Sequence, residues 1–148
     1  MNLRQKFLFK IMNYWPPLWG AGIHIDRFSD DFLEVDVSLK LRFWNRNYVG
    51  THYGGSLYSM TDPFYMLMLI NIFGRGYIVW DKGATIRFKR PGLGKVYAKF
   101  RLTSEQVEMF RSELALKDKI EPVLTVIIKD EEGQVIAEVD KVLYLRKK

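Results

Sequence analysis

The chain has 148 residues, a formal net charge of +6, no cysteine and only two histidines. This length suits one domain with its own hydrophobic core, so we predict a single domain over residues 1–148. The lack of cysteine excludes disulfides and thiolate nucleophiles and fits a cytoplasmic protein. Two histidines exclude a multi-histidine metal site within one chain. The positive charge favours anionic partners such as nucleotide phosphates, or it is simply a solvated basic surface.

The first predicted element is a helix over residues 3–15, which Pro16 and Pro17 should end. Its apolar positions have helical spacing: Leu3, Phe7, Leu8, Ile11, Met12 and Trp15. Basic residues lie mostly on the other face. We favour a helix packed on the domain, while a basic amphipathic helix lying on membrane lipid remains the alternative. No signal peptide is predicted at this end of the chain.

Two strands and a long buried helix follow. Alternating apolar and polar residues predict strands over 22–28 and 32–42, each with one buried face. Residues 43–54 have the composition of an irregular loop. Residues 55–73 are too apolar on all sides for a surface helix, so we predict a helix that the rest of the domain surrounds.

A carboxylate followed by a proline interrupts this apolar helix. Pro63 should remove one intrahelical hydrogen bond, to the Ser59 carbonyl, and bend the helix near Asp62. Both residues argue against a membrane span over this segment. A buried, unpaired carboxylate is costly, so Asp62 should be paired, protonated or functional.

The remaining elements predict an antiparallel sheet. We expect strands over residues 77–90, 95–102, 121–129 and 134–145. Thr103 and Gln106 have the spacing of a capping box and should begin a short helix that ends near Leu116. Asp81 and Lys82 are predicted to form a local ion pair without a chemical role. The order of elements favours an α+β domain in which an antiparallel sheet of five to six strands wraps around one central helix.

The stretch NRNYVGTHYGGSLYSMTDPF, residues 45–64, resembles a motif of hotdog-fold acyl-CoA thioesterases of the phenylacetate-degradation type. That motif has Asn, three residues, Thr, one residue, His-Gly-Gly, and an acid seven residues after the second glycine. The matching positions here are Asn47, Thr51, Gly54, Gly55 and Asp62. Tyr53 stands where the family has histidine, and His52 lies one place earlier. The later stretch IRFKRPGLGKV resembles a strand of the same family.

This resemblance implies a hotdog fold and hydrolysis of an acyl-CoA or related thioester. The backbone N–H of Gly55, with that of Gly54, would polarise the thioester carbonyl, as helix N-termini can. Asp62 would activate water, and Asn47 would orient substrate or water. The substrate-binding set would include Tyr53, Thr51 and His52.

Asp62 lies too far from the N-terminus of its own helix to serve the same carbonyl. A second subunit would therefore supply it, which makes the predicted protein a homodimer or a dimer of dimers.

A basic cluster, Arg87, Lys89 and Arg90, could bind the phosphates of coenzyme A, which is part of the substrate and the only cofactor-like group that we expect. The alternative is a solvated strand edge whose charges prevent aggregation. No nucleic-acid motif and no metal site are predicted.

Other interpretations remain open. The same pocket could bind a fatty acyl chain or acyl-CoA without turnover. Asp62 could be a paired core acid, Gly54 and Gly55 a tight turn, and His52 a loop residue without a role.

Overall fold

The computed structural model describes the backbone of residues 3–148 and the side chains of residue 7 and residues 9–148. Five helices and seven strands make up this part of the chain: α1 Leu3–Met12, α2 Pro16–Ala21, β1 Ile23–Phe28, β2 Glu34–Lys40, α3 Gly54–Ser59, α4 Phe64–Phe73, β3 Tyr77–Phe88, β4 Lys95–Arg101, α5 Ser104–Leu116, β5 Lys119–Ile120, β6 Val123–Lys129 and β7 Val135–Lys147.

The strands form one antiparallel sheet. Six of them follow the order β1-β2-β4-β6-β7-β3, and the two-residue β5 pairs with β7 beside that path. The sheet therefore has seven strands, more than the five to six predicted, because a two-residue strand leaves no alternation to detect. The long β3 lies at one end of the order and β1 at the other.

The prediction of one continuous central helix over residues 55–73 is wrong, because two helices occupy this segment. Residues 60–63 separate α3 from α4. Pro63 has no N–H to donate to the Ser59 carbonyl, and the N–H of Asp62 donates to that carbonyl instead, at 3.3 Å. The predicted bend is therefore a full break, with tight turns that satisfy the carbonyls at the end of α3.

α4 provides the centre of the core. Phe64, Met68 and Leu69 are fully buried, and the rings of Phe64 and Tyr65 lie about 5 Å from the ring of Phe100 on β4. Burying side chains of this kind stabilises the fold by about 1.5–3 kcal/mol each. The helix is not surrounded on every side, since one of its faces remains partly exposed.

The N-terminal segment also differs from the prediction. α1 ends at Met12, and Pro16 begins the short helix α2, where a proline fits because the N–H that it lacks would have no acceptor within the helix. Among the α1 side chains that the structure describes, that of Phe9 is buried, and its ring stacks on Phe28 at 3.7 Å. Phe7, expected on the packed face, is 64% exposed. No helix among residues 3–148 is long and apolar enough to cross a membrane.

The capping box of α5 is confirmed. The Thr103 hydroxyl accepts from the N–H of Gln106 at 3.1 Å, and the Gln106 side-chain oxygen accepts from the N–H of Thr103 at 2.9 Å.

Candidate functional site

Asp62 lies in the connection between α3 and α4 and is held by two donors. The Tyr58 hydroxyl donates to its Oδ1 at 3.1 Å, and the Lys141 ammonium donates to the same oxygen at 3.0 Å. Both hydrogen bonds that the described residues give to this carboxylate go to Oδ1. The side chain of Asp62 is 49% exposed in the single chain, so it is not the buried carboxylate that the apolar sequence predicted.

Lys141, on β7, is fully buried between two carboxylates. Its ammonium lies 3.3 Å from Oδ1 of Asp81 on β3, which is an ion-pair distance without hydrogen-bond geometry. The ammonium also lies 5.2 Å from the centre of the Tyr58 ring. The predicted local pair of Asp81 with Lys82 is wrong, because Lys82 contacts Glu121 at 2.7 Å instead.

A β-bulge brings Asp81 to the same side of the sheet as Lys141. Lys141 pairs with Ala84 and Leu143 pairs with Asp81, with a register shift between Asp81 and Gly83. Asp81 and Ala84 are three positions apart, so in a strand that paired regularly their side chains would point to opposite faces; the bulge absorbs one residue and places them on the same face.

The electrostatics of this cluster keep Lys141 protonated. Burial alone would lower the pKa of Lys141, but the hydrogen bond to Asp62 and the charges of Asp81 and Asp62 raise it by more. The pKa of Asp81 is raised, because its burial outweighs the attraction of the Lys141 charge. The result is a buried cation that contacts one partly buried carboxylate, that of Asp81, and one half-exposed carboxylate, that of Asp62.

Gly54 and Gly55 open α3, as the sequence predicts. In the first turn of a helix the N–H groups have no intrahelical acceptor. A Cβ atom on Gly55 would lie 2.4 Å from the ring of Tyr53, and one on Gly54 would lie 3.0 Å from the ring of Phe88. Two largely exposed aromatic rings therefore flank the start of α3.

Asn47 organises the loop that leads into α3. Its side-chain amide donates to the Thr51 hydroxyl at 2.9 Å, and its Oδ1 accepts from the N–H groups of Thr51 and Val49 at 3.0 and 3.2 Å. The amide also lies 3.3 Å from the His52 carbonyl. In the single chain, the polar atoms of Asn47 are thus engaged inside the loop.

His52 connects this loop to the turn between β3 and β4. Nε2 of its ring lies 3.1 Å from the Gly94 carbonyl, and the backbone N–H of His52 donates to the Gly92 carbonyl at 2.9 Å. A carbonyl only accepts, so Nε2 carries the proton and the buried Nδ1 has no partner in the described part of the chain. Burial lowers the pKa of His52, more than the Gly94 carbonyl raises it. This geometry favours a neutral histidine that holds the loop.

The basic cluster lies at the end of β3, which contains Arg87, and in the two residues just beyond it, beside acidic residues of β7. Arg87 contacts Asp140 at 2.8 Å and Glu138 at 3.5 Å, and Lys89 contacts Glu138 at 3.4 Å. Lys89 and Arg90 also line a surface depression of about 570 Å³. Arg87 and Lys89 are therefore already paired, and any phosphate would compete with carboxylates for them.

The structure places the predicted residues at the two ends of α3, with the glycines at its start and Asp62 beyond its end. Tyr58, Asp81 and Lys141 were missed as site residues. One signal was available: the buried face of β7 has period two, and Lys141 occupies one of its positions among apolar residues. Within residues 3–148, no three His, Cys, Asp or Glu side chains are grouped so as to hold a metal ion.

A family model described as a domain of unknown function, DUF4442, matches residues 4–145. The chain belongs to the DUF4442 family. None of the curated proteins compared with it matches this DUF4442 chain.

Solved structures resemble this DUF4442 domain over nearly its whole length. PA5026 from Pseudomonas aeruginosa, described as a probable thioesterase of unknown function, has 22% identity, a TM-score of 0.85 and coverage of 100% of this chain and 99% of its own. OLEI01261 from Chlorobaculum tepidum, of unknown function, has 16% identity, a TM-score of 0.74 and coverage of 97% and 94%. The thioesterase HI1161 from Haemophilus influenzae has 16% identity, a TM-score of 0.67 and coverage of 94% and 90%. At these identities the likeness shows the fold, which is a thioesterase-like hotdog fold.

Proposed function

We propose that this DUF4442 protein hydrolyses acyl thioesters, with acyl-CoA as the substrate class and Asp62 as the general base. The observation that carries the proposal is the half-exposed Asp62 carboxylate, which a buried lysine and a tyrosine hold through one oxygen only. The second oxygen, Oδ2, is left for a water molecule.

The reaction needs a base, a polarised carbonyl and a leaving thiolate. In the proposed step, a water oxygen attacks the thioester carbonyl carbon while its proton moves to Oδ2 of Asp62. The N–H of Gly55, with that of Gly54, stabilises the resulting oxyanion. The C–S bond then breaks, and the departing thiolate takes up the proton. The resemblance of the fold to proteins described as thioesterases supports this reaction class.

The proposal includes a homodimer. Gly55 lies in the first turn of α3 and Asp62 beyond its end, and a helix of six residues is about 9 Å long, so the proposal takes these two groups from different chains. β3 pairs with β7 along one edge, and no strand among the described residues pairs with its other edge. Trp80 and Phe88 of β3 are exposed. A long exposed edge strand with apolar side chains is suited to pairing with a second copy.

Three finer points remain predictions: further association into a dimer of dimers, the phenylacetate-degradation type of chemistry, and a cytoplasmic location.

A second candidate function is acyl-CoA or fatty-acyl binding without turnover. The observation that favours it is the Tyr53 ring, which occupies the space above Gly55 where a carbonyl would approach. Tyr53 is 59% exposed and can rotate away, so a ligand can enter in either case. The two functions differ in whether the bound thioester is then hydrolysed.

The experiment that tests the proposal is a hydrolysis assay of the purified protein with short, medium and long acyl-CoAs. Asp62→Asn and Asp62→Ala should lose about 10²- to 10⁴-fold in turnover, the usual contribution of a general base. The matched control is Asp118→Asn, at an exposed position outside the cluster. Absence of turnover while intact acyl-CoA stays bound would favour the binding function.

A separate assay tests the phosphate contacts. Arg87→Gln with Arg90→Gln should raise the KM for acyl-CoA, and the effect should shrink as salt increases. An unchanged KM at every salt concentration would remove these residues from the substrate site.

A further inference from the structure

We propose that Lys141 is the positioning residue for Asp62 and that Asp81 anchors Lys141 from the sheet. In this arrangement the lysine fixes Oδ1 of Asp62 and directs Oδ2 toward the reacting water. The effect on kcat that this inference predicts rests on the proposed hydrolysis. The contact between Lys141 and Asp62 can be tested without any activity.

The first argument is the cost of the buried charge. Lys141 is 0% exposed, and burying an ammonium costs several kcal/mol unless close partners compensate. The other buried members of this strand face are all apolar: Ala137, Val139, Leu143 and Leu145. A leucine or methionine at position 141, with uncharged residues at positions 62 and 81, would continue that face, and replacing a whole buried ion pair in this way is often neutral or stabilising. Packing alone therefore does not account for a lysine here.

The second argument is the position of Asp62 in the chain. Asp62 belongs to a four-residue connection between two helices, where the backbone alone fixes a side chain poorly. Lys141 and Asp81 lie on the paired strands β7 and β3, in the most extensively paired part of the sheet. The hydrogen bond at 3.0 Å thus ties a carboxylate on a connection to a rigid element, as precise catalytic geometry requires.

The third argument is that the donors converge on one oxygen. Tyr58 from α3 and Lys141 from β7 both donate to Oδ1 of Asp62, and Asp81 from β3 faces the same ammonium. These are the titratable groups that surround Lys141 in the described part of the chain. Because Lys141 is fully buried, it acts through Asp62 rather than on the substrate.

The kinetic test is a double-mutant cycle. Lys141→Met should lower kcat by roughly 10²-fold with little change in KM, since a small displacement of a catalytic group costs about that much. In the Asp62→Asn background, Lys141→Met should cause no further loss. Tyr58→Phe removes a donor to the same oxygen without removing a charge, and it should show the same non-additivity with a smaller effect. Lys82→Met, at an exposed lysine of β3, is the control.

Independent, additive losses in kcat would overturn the proposal, because they would show that Lys141 acts on folding rather than through Asp62. Circular dichroism and thermal unfolding of each variant separate a folded variant from one that has lost its structure. If Lys141→Met does not fold, the cycle with Tyr58→Phe decides the question.

A second readout does not require activity. The Lys141 side-chain ¹⁵N resonance can be titrated by NMR in the wild type, in Asp62→Asn and in Asp118→Asn. Asp62→Asn should lower the pKa of Lys141, because it removes the charged hydrogen-bond partner, and the control should not. A wild type that hydrolyses no acyl-CoA would count against the proposed function alone. If the pKa of Lys141 is the same in Asp62→Asn as in the wild type, the positioning role is overturned, whether or not the protein hydrolyses acyl-CoA.

Discussion

The two halves of the candidate site are held together in opposite ways. Residues 45–55 form a loop and a helix start whose side chains bond mostly to near neighbours, as Asn47 does to Thr51 four residues away. The half around Asp62 depends on a contact with Lys141, 79 residues further along the chain. Apart from His52, which contacts Gly94, the half that contains Asn47 and the two glycines is thus locally organised, while the half that holds the proposed base depends on the pairing of β3 with β7. Substitutions in the two halves should therefore differ in the size of their effect on stability and in how far from the substituted residue that effect extends.

The largest effect on stability should come from Lys141→Met. This change leaves the partly buried Asp81 without its counter-charge, and removing one partner of a buried ion pair typically costs about 3–5 kcal/mol, which is an upper limit here because both carboxylates retain some contact with solvent. Urea unfolding of the variant beside Lys82→Met measures the difference. If the free energy of unfolding falls no further in Lys141→Met than in Lys82→Met, the cluster contributes nothing to stability and the two halves of the site do not differ in this way.

Asn47→Ala should cost less, about 0.5–1.5 kcal/mol, because it removes the side-chain hydrogen bonds that hold the loop, and water can replace them at the exposed Val49 amide. Hydrogen exchange should show faster exchange at the amides of Val49 and Thr51, with strand amides little changed. Asn47→Asp keeps the oxygen that accepts from both amides and should retain most of their protection. Equal loss of protection across β3 and β7 would contradict a local role for the loop.

The pH dependence of stability should reveal His52. Its folded pKa lies below the ordinary value of 6.5, because burial disfavours the charged ring. Below pH 6.5 the unfolded chain binds a proton that the folded chain does not, so the free energy of unfolding falls as the pH decreases through this window. The slope has an upper limit of about 1.4 kcal/mol per pH unit.

Urea unfolding at a series of pH values checks this slope. His52→Asn should flatten it, and the exposed His24→Asn is the control. A slope that persists in His52→Asn would assign the effect to other groups.

The smallest effect on stability should come from Gly55→Ala. The new Cβ would meet only the ring of Tyr53, which is exposed and can move, and alanine favours a helix by up to about 1 kcal/mol over glycine. Stability should stay within about 0.5 kcal/mol of the wild type, while the methyl group hinders approach to the helix N–H groups and lowers thioester turnover. The control is Gly20→Ala in α2, where a Cβ meets nothing within 4 Å. Unchanged turnover in Gly55→Ala would exclude this helix start from the reaction.

The sequence predicted those features that depend on neighbours along the chain. Strand alternation, the capping box at Thr103 and the interruption at Pro63 all arise from contacts within a few residues. The hotdog architecture followed from the order of these elements and from the motif. The role of Phe9 was missed because helical spacing alone does not show which face of a short helix meets the sheet.

The ion cluster could not be predicted for a related reason. Lys141 stands in an apolar alternation that signals its burial, but its partners depend on which strand lies beside β7. Asp81 points to the same face as Lys141 only because of the bulge near Gly83, and that bulge was not predicted from the sequence. Local reasoning therefore identified Asp62 as unusual without identifying the residues that hold it.

The bulge in β3 also makes the site depend on how many residues the strand contains. If the present sequence paired with β7 residue for residue, Asp81 and Ala84 would lie three positions apart and point to opposite faces, so Asp81 would turn away from Lys141. Lys141 would then lose a counter-charge although every side chain of the cluster was still encoded. A deletion of one residue between Asp81 and Ala84 would instead remove the need for the bulge and leave both side chains on the same face. A comparison of related sequences should therefore count the residues between these two positions as well as read their identities, because that number decides whether the charge balance of the site depends on a bulge.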